Sequence, residues 1–141
     1  MGLRSKVFKM IKNINIVKSK FNRIKQDFFK TNLFENFDKN LQCQINDSIL
    51  FLENEIPILA YYEFNKNYWL LTDIRLIAND FIIFLDDIEI INIPEIFDEG
   101  KGNSECESLE IVKKNSNIYT LKLEKFTWYA IFNILNFIIR H

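Results

Sequence analysis

Apolar residues recur at intervals of three and four positions along the first thirty residues of the chain. This period matches the turn of an α-helix and places the apolar side chains on one face. No Pro or Gly follows Gly2 in this segment, so the pattern predicts a single helix over residues 3–30. The apolar positions are Leu3, Val7, Met10, Ile11, Ile14, Val17, Phe21, Ile24 and Phe28.

A shorter helix and an ambiguous segment are predicted next. Asn46-Asp47-Ser48 is a turn signal that ends this helical region. Residues 49–52 fit either a short strand or one helical turn, because periodicity does not separate the two in so short a run. The apolar positions that indicate the second helix are Leu33, Phe34, Phe37 and Leu41.

From Pro57 the pattern changes to short apolar and aromatic runs bounded by Asn and Asp, which is typical of β-strands. Turns are expected at residues 65–67, 79–80 and 114–117, and the last of these joins a hairpin. Residues 98–105 hold two of the three glycines and predict a flexible loop. The predicted strands are Pro57–Phe64, Tyr68–Ala78, Phe81–Leu85, Ile88–Ile93, Ser108–Lys113 and Ile118–Leu123.

The chain ends in a predicted helix over residues 124–140 that is apolar around most of its circumference. A helix on the surface of a globular protein needs an apolar arc of only about 100°. This helix must therefore be covered on two sides. We expect a sheet beneath it, and the apolar face of the N-terminal helix is a candidate for the second cover.

The run from Tyr68 to Ile77, YWLLTDIRLI, resembles a strand of the small bacterial pleckstrin-homology-like domains. The Phe81–Phe84 and Ile88–Ile93 runs and the closing helix with Trp128 fit the same family, and the resemblance covers residues 50–140. It implies an α+β fold in which an antiparallel β-barrel, or two bent sheets, is capped by the C-terminal helix. The predicted domains are an N-terminal helical arm, 1–46, and the barrel with its helix, 47–141.

The charge is divided between the two ends of the chain. Residues 1–40 hold ten Lys or Arg against three Asp or Glu, and residues 41–141 hold eight against sixteen. A basic arm beside an acidic body allows three interpretations. The arm binds an acidic partner or a membrane, or it folds back on the body, or it is only a solvated helix face.

Residue types that carry catalysis are scarce. The single histidine is His141, so nucleophile–histidine pairs and histidine-based zinc sites are not expected. Cys43 and Cys106 are far apart in sequence and predict reduced thiols. No phosphate-binding glycine motif occurs. We therefore expect no enzyme activity, cofactor or metal, with a carboxylate-dependent enzyme as a remote third class. No signal sequence or membrane span is indicated, which predicts a cytoplasmic protein.

The leading functional hypothesis is non-catalytic recognition of a protein, because outward-facing Tyr and Trp are good anchors for partners. The alternative for these aromatics is that they form core and cross-strand pairs. The resembled domains include immunity proteins that neutralise a toxin, and an acidic body would suit a basic one. The predicted partner-binding residues are Tyr61, Tyr62, Tyr68, Trp69, Asp86, Asp87, Asp98 and Glu99.

The second functional hypothesis is peripheral attachment of the basic helix to an anionic membrane. Phosphoinositide binding in the resembled family uses several basic residues at the first hairpin, where this chain offers only Lys66. Arg75 is expected on a strand surface beside a carboxylate. Nucleic-acid binding is not expected, since the acidic body repels phosphates, and the oligomeric state stays open. The predicted membrane-binding residues are Lys9, Lys12, Lys20, Arg23 and Lys30.

Overall fold

The computed structural model describes residues 11–24, 28–63, 66–93 and 106–140. Within these ranges helices and antiparallel strands combine in one arrangement, which confirms the α+β part of the predicted fold. Two 3-10 turns, Phe34–Asn36 and Leu85–Asp87, connect elements. The elements in chain order are α1 (Ile14–Ile24), β1 (Thr31–Leu33), α2 (Lys39–Ser48), β2 (Pro57–Tyr62), β3 (Tyr68–Thr72), β4 (Arg75–Ala78), β5 (Ile82–Phe84), β6 (Ile88–Asn92), β7 (Ser108–Lys113), β8 (Ile118–Lys122) and α3 (Trp128–Arg140).

The strands form two antiparallel sheets. The first has the order β1-β2-β3-β4-β5, and the second has the order β6-β7-β8. No strand pairing joins the two sheets in the described ranges, so the strands do not close into a barrel there. The predicted C-terminal helix and the predicted β7–β8 hairpin are both confirmed.

The N-terminal part differs from the predicted pair of helices. Residues 11–13 and 28–30 are not helical, so α1 is shorter than the 3–30 prediction, which also covers residues outside the described ranges. Leu33 belongs to β1 and pairs with Leu59 of β2. Helical spacing was misleading here because pairing with a neighbouring strand overrides local preference.

The second helix begins and ends later than predicted. Asp38 caps α2 by accepting a hydrogen bond from the backbone N of Leu41 at 2.8 Å. The predicted turn at residues 46–48 is wrong, because these residues form the last turn of the helix. The predicted domain boundary between residues 46 and 47 therefore falls inside α2. Residues 49–52, for which a strand and a helical turn were both open, form neither.

The predicted strand from Tyr68 to Ala78 is divided into β3 and β4 by a turn at Asp73 and Ile74. The hydroxyl of Thr72 accepts hydrogen bonds from the backbone N of Ile74 and of Arg75 at 3.1 and 3.0 Å. A threonine that binds the backbone two and three residues ahead of itself favours a turn over a continuing strand. The Asp73 carboxylate accepts a further hydrogen bond from the backbone N of Ile56 at 2.9 Å.

Both faces of the five-stranded sheet carry an apolar cluster. Its inner face shares one apolar cluster with α1, α3 and the three-stranded sheet, whereas its outer face packs against α2 and the segment that follows it. In β3 successive side chains alternate between the two faces, since Trp69 and Leu71 belong to the inner cluster and Leu70 to the outer one.

Helix α3 is covered on two sides, as its apolar circumference predicted. It packs against α1 on one side and against β6 and β7 on the other. Val17 and Phe21 of α1 are fully buried in the same cluster as Ile134 of α3. The Nζ atom of Lys20 lies 4.7 Å from the centre of the Phe137 ring, a cation–π contact between the two helices.

Candidate functional site

A groove lies on the outer face of the five-stranded sheet, beyond the C-terminal end of α2. It contains a cavity of about 750 Å³, bounded by the loop after α2 and by β4 and β5. A smaller cavity of about 240 Å³ adjoins it and shares four lining residues. The shared residues are Ser48, Ile49, Tyr68 and Asn79.

The walls of this groove are largely apolar and partly open to solvent. Leu50 is 91% exposed and Ile82 is 53% exposed. Ile82 pairs with Ile77, whose side chain lies in the outer cluster, so both belong to the outer face of the sheet. The outer apolar surface thus continues from the part covered by α2 to an open edge formed by Leu50, Leu52 and Ile82.

A buried ion pair holds the loop that carries Leu50. Nε of Arg75 donates to Oε2 of Glu55 at 2.8 Å, and Nη2 of Arg75 donates to Oε1 at 2.9 Å. Nη2 also donates to the carbonyl oxygen of Leu50 at 2.9 Å. The Glu55 carboxylate accepts two further bonds, from the Thr72 hydroxyl at 2.6 Å and from the backbone N of Leu52 at 2.9 Å. These contacts fix the backbone at the Leu50 carbonyl and at the Leu52 N–H, next to the exposed Leu50 side chain.

Arg75 is therefore buried, and its expected place on a strand surface is wrong, although its expected carboxylate partner is present. Its guanidinium lies under the groove and lines the larger cavity. Planar guanidinium groups bind carboxylates through two parallel bonds, which makes this pair stronger than a single contact.

The ion pair makes stability depend on pH. Burial raises the pKa of Glu55, but the hydrogen bonds from Arg75, Thr72 and Leu52 outweigh it and hold that pKa below its ordinary value of 4.5. A lowered pKa in the folded state stabilises the fold above the ordinary pKa and loses this contribution as pH falls through the folded value.

We expect Glu55→Gln to lower the free energy of unfolding most near neutral pH, with a difference from the wild type that shrinks below about pH 5. Urea unfolding of both proteins at a series of pH values measures this difference. A difference that stays constant down to the acid-unfolding region would contradict a role for Glu55 ionisation.

The groove has exposed acidic residues in its lining and next in sequence to it. Residues 28–93 hold four Lys or Arg against eleven Asp or Glu. Asp80 lines the larger cavity, Asp47 precedes Ser48 of the lining, and Glu53 follows Leu52. All three are exposed, and in the described part of the chain none of them has a Lys or Arg within salt-bridge distance.

The four predicted aromatic residues divide between the two faces of the sheet. Tyr61 and Trp69 are buried in the inner core, with ring centres 6.5 Å apart. Their side chains therefore do not face outward, as the prediction that they contact a partner required. Tyr62 and Tyr68 are half-buried on the outer face, 6.4 Å apart, and line the smaller cavity. The alternation of strand side chains causes this division, because neighbouring residues point to opposite faces.

The buried Tyr61 also has an altered acidity. Burial raises the pKa of Tyr61 well above its ordinary value, and a hydrogen bond to Glu63 at 2.9 Å adds to the effect. The Tyr61 hydroxyl therefore stays protonated and serves as a donor within the fold.

The predicted acidic residues lie away from the groove or outside the described ranges. Asp86 and Asp87 are exposed in the Leu85–Asp87 turn but do not line either cavity. Asp98 and Glu99 fall outside the described residues, as does the whole predicted 98–105 loop. Their predicted role with a partner stays a prediction.

The predicted basic residues of the N-terminal arm do not form one free surface. Lys12 and Arg23 are exposed, whereas Lys20 contacts Phe137. Lys30 forms an ion pair with Glu63 at 3.1 Å. Lys9 lies outside the described residues.

The sequence alone did not indicate Leu50, Leu52 and Ile82 as site residues. The signal available was the apolar run Ile49-Leu-Phe-Leu52 between polar neighbours, which periodicity left ambiguous. Only the packing shows that α2 and β5 leave part of this run exposed.

Other kinds of site find no support in the described residues. No group of three or more His, Cys, Asp or Glu there is arranged to hold a metal ion. Cys43 is exposed and Cys106 is buried, and the two are not joined in a disulfide. No helix within the described ranges has the length and apolar character needed to cross a bilayer.

Comparisons with protein-family models, with curated proteins and with solved structures give no match to this chain.

Proposed function

We propose that this protein is a non-catalytic recognition domain that binds a partner protein in the outer-face groove. The observation that carries the proposal is Leu50, whose side chain is almost fully exposed on a loop held by a buried ion pair. An apolar side chain presented on a rigid backbone loses little conformational entropy when it is buried by a partner. Exposed apolar surface beside a cavity is typical of protein interaction sites.

Peripheral membrane attachment through the basic helix is less well supported. The apolar residues of α1 that would enter the lipid, Val17 and Phe21, are buried against α3 and the sheets. A membrane could reach them only if α1 left the core. Neutralisation of a toxin, which the pleckstrin-homology-like resemblance suggests, is one form that recognition of a partner protein would take.

We expect Leu50→Ser combined with Ile82→Ser to abolish binding of the natural partner, because both substitutions remove apolar contact at the groove. Ile118→Ser is the matched control, since Ile118 is 60% exposed on β8, in the other sheet, and lines neither cavity. Both variants should keep the wild-type stability within about 0.5 kcal/mol, as surface substitutions usually do.

The measurement is quantitative affinity capture from the cells of origin with the wild-type protein and the two variants. A partner retained by the wild type and the Ile118 variant but lost by the groove variant supports the proposal. Equal retention by all three proteins would contradict it.

A further inference from the structure

The charges around the groove define the chemistry of its partner, and this inference rests on the proposed function. We infer that the bound segment carries Lys or Arg side chains next to its apolar ones. Asp80 lies in the lining itself, and Asp47 and Glu53 adjoin lining residues at the other side of the groove. One carboxylate thus belongs to the lining after β4, and two exposed acidic residues lie next in sequence to lining residues of the α2 end and the loop after it.

Among the described residues, the cationic side chains that line the two cavities do not cancel these carboxylates. The positive charge of Arg75 is already paired with Glu55 beneath the loop. Lys66 lines only the smaller cavity, where Glu63 is also present. Residues 28–93 as a whole carry seven more acidic than basic side chains. Exposed carboxylates of one sign steer cationic partners toward a surface and speed their association.

The same charges select against other occupants. An acidic peptide would place like charges beside Asp47, Glu53 or Asp80, which is unfavourable at an interface. Nucleic acids and anionic lipid headgroups would meet the same repulsion. The apolar walls supply affinity without distinguishing the partner's charge, so the carboxylates supply the selectivity.

The test uses the full chain and a phage-displayed library of random peptides. Selection on the wild-type protein is compared with selection on the Leu50→Ser/Ile82→Ser protein. Peptides enriched only on the wild type should combine Lys or Arg with Leu, Ile or Phe. One enriched peptide is then synthesised, and its affinity for the wild type and the variants is measured at two salt concentrations. About 50 mM salt screens exposed charges weakly, and about 500 mM salt screens them strongly.

Two triple variants remove the same charge from different places. The first variant, Asp47→Asn/Glu53→Gln/Asp80→Asn, should lower the affinity for the peptide roughly tenfold, because each exposed ion pair contributes a few-fold at most. Asp86→Asn/Glu89→Gln/Glu107→Gln removes three exposed carboxylates that do not line the groove and should change the affinity less than about twofold. High salt should lower the affinity of the wild type for the peptide and largely abolish the difference in affinity between the variants.

Different results would overturn the inferred charge of the partner and the proposed binding groove. Enriched peptides without Lys or Arg, or equal losses in the two triple variants, would overturn the inference while groove binding stands. If no peptide is enriched on the wild type over the Leu50→Ser/Ile82→Ser protein, both the inference and the proposed groove are overturned.

Discussion

Replacing Arg75 with Met is expected to lower the free energy of unfolding by about 3–5 kcal/mol, the usual cost of removing one partner from a buried ion pair. The substitution leaves the Glu55 carboxylate buried without its cation and frees the carbonyl oxygen of Leu50. Most of the loss is the cost of the remaining charge, because a buried carboxylate without a partner is poorly solvated. Urea unfolding followed by tryptophan fluorescence measures the change.

Two controls test this explanation. Lys18→Met removes one partner of the more exposed Lys18–Glu35 pair and should cost at most about 1 kcal/mol. The double variant Glu55→Gln/Arg75→Met removes both charges of the pair and should be more stable than Arg75→Met alone. If Arg75→Met costs no more than Lys18→Met, the pair does not hold the loop as described.

Phe21→Ala in α1 is the second substitution with a large expected effect, about 3–5 kcal/mol, as is usual when a buried aromatic ring is truncated. Phe21 is fully buried and contacts the Phe28 ring at 6.0 Å between centres. The cavity left by its ring would lie where α1 covers α3. Thermal and urea unfolding measure the loss, and increased binding of a hydrophobic dye reports exposure of α3.

Phe29→Ala is the matched control, since Phe29 is 89% exposed and only a few residues away along the chain. Its effect should stay within about 0.5 kcal/mol. Equal effects of the two substitutions would show that α1 is not part of the core. Deleting residues 1–40 would be a poorer test, because the deletion also removes β1 from the five-stranded sheet.

Strands and helices with a strong pattern were predictable from local sequence. Strand β7 has the predicted bounds, and α3 lies within its predicted range, because alternation and apolar circumference are properties of the segment itself. Predictions failed where a contact from elsewhere in the chain decided the structure. Leu33 is in a strand because β2 lies beside it, and the Tyr68–Ala78 run is broken where the Asp73 carboxylate binds the backbone of the distant Ile56.

The sequence by itself determined the α+β class, most strands, the closing helix and its need for two covers. Only the tertiary structure decided which aromatic residues are buried, how Arg75 reaches Glu55, and where the outer face stays open beside Leu50. The physical reason is that periodicity records whether a side chain prefers to be buried. Which surface buries it, and which apolar residue is left exposed, depends on how distant segments pack together.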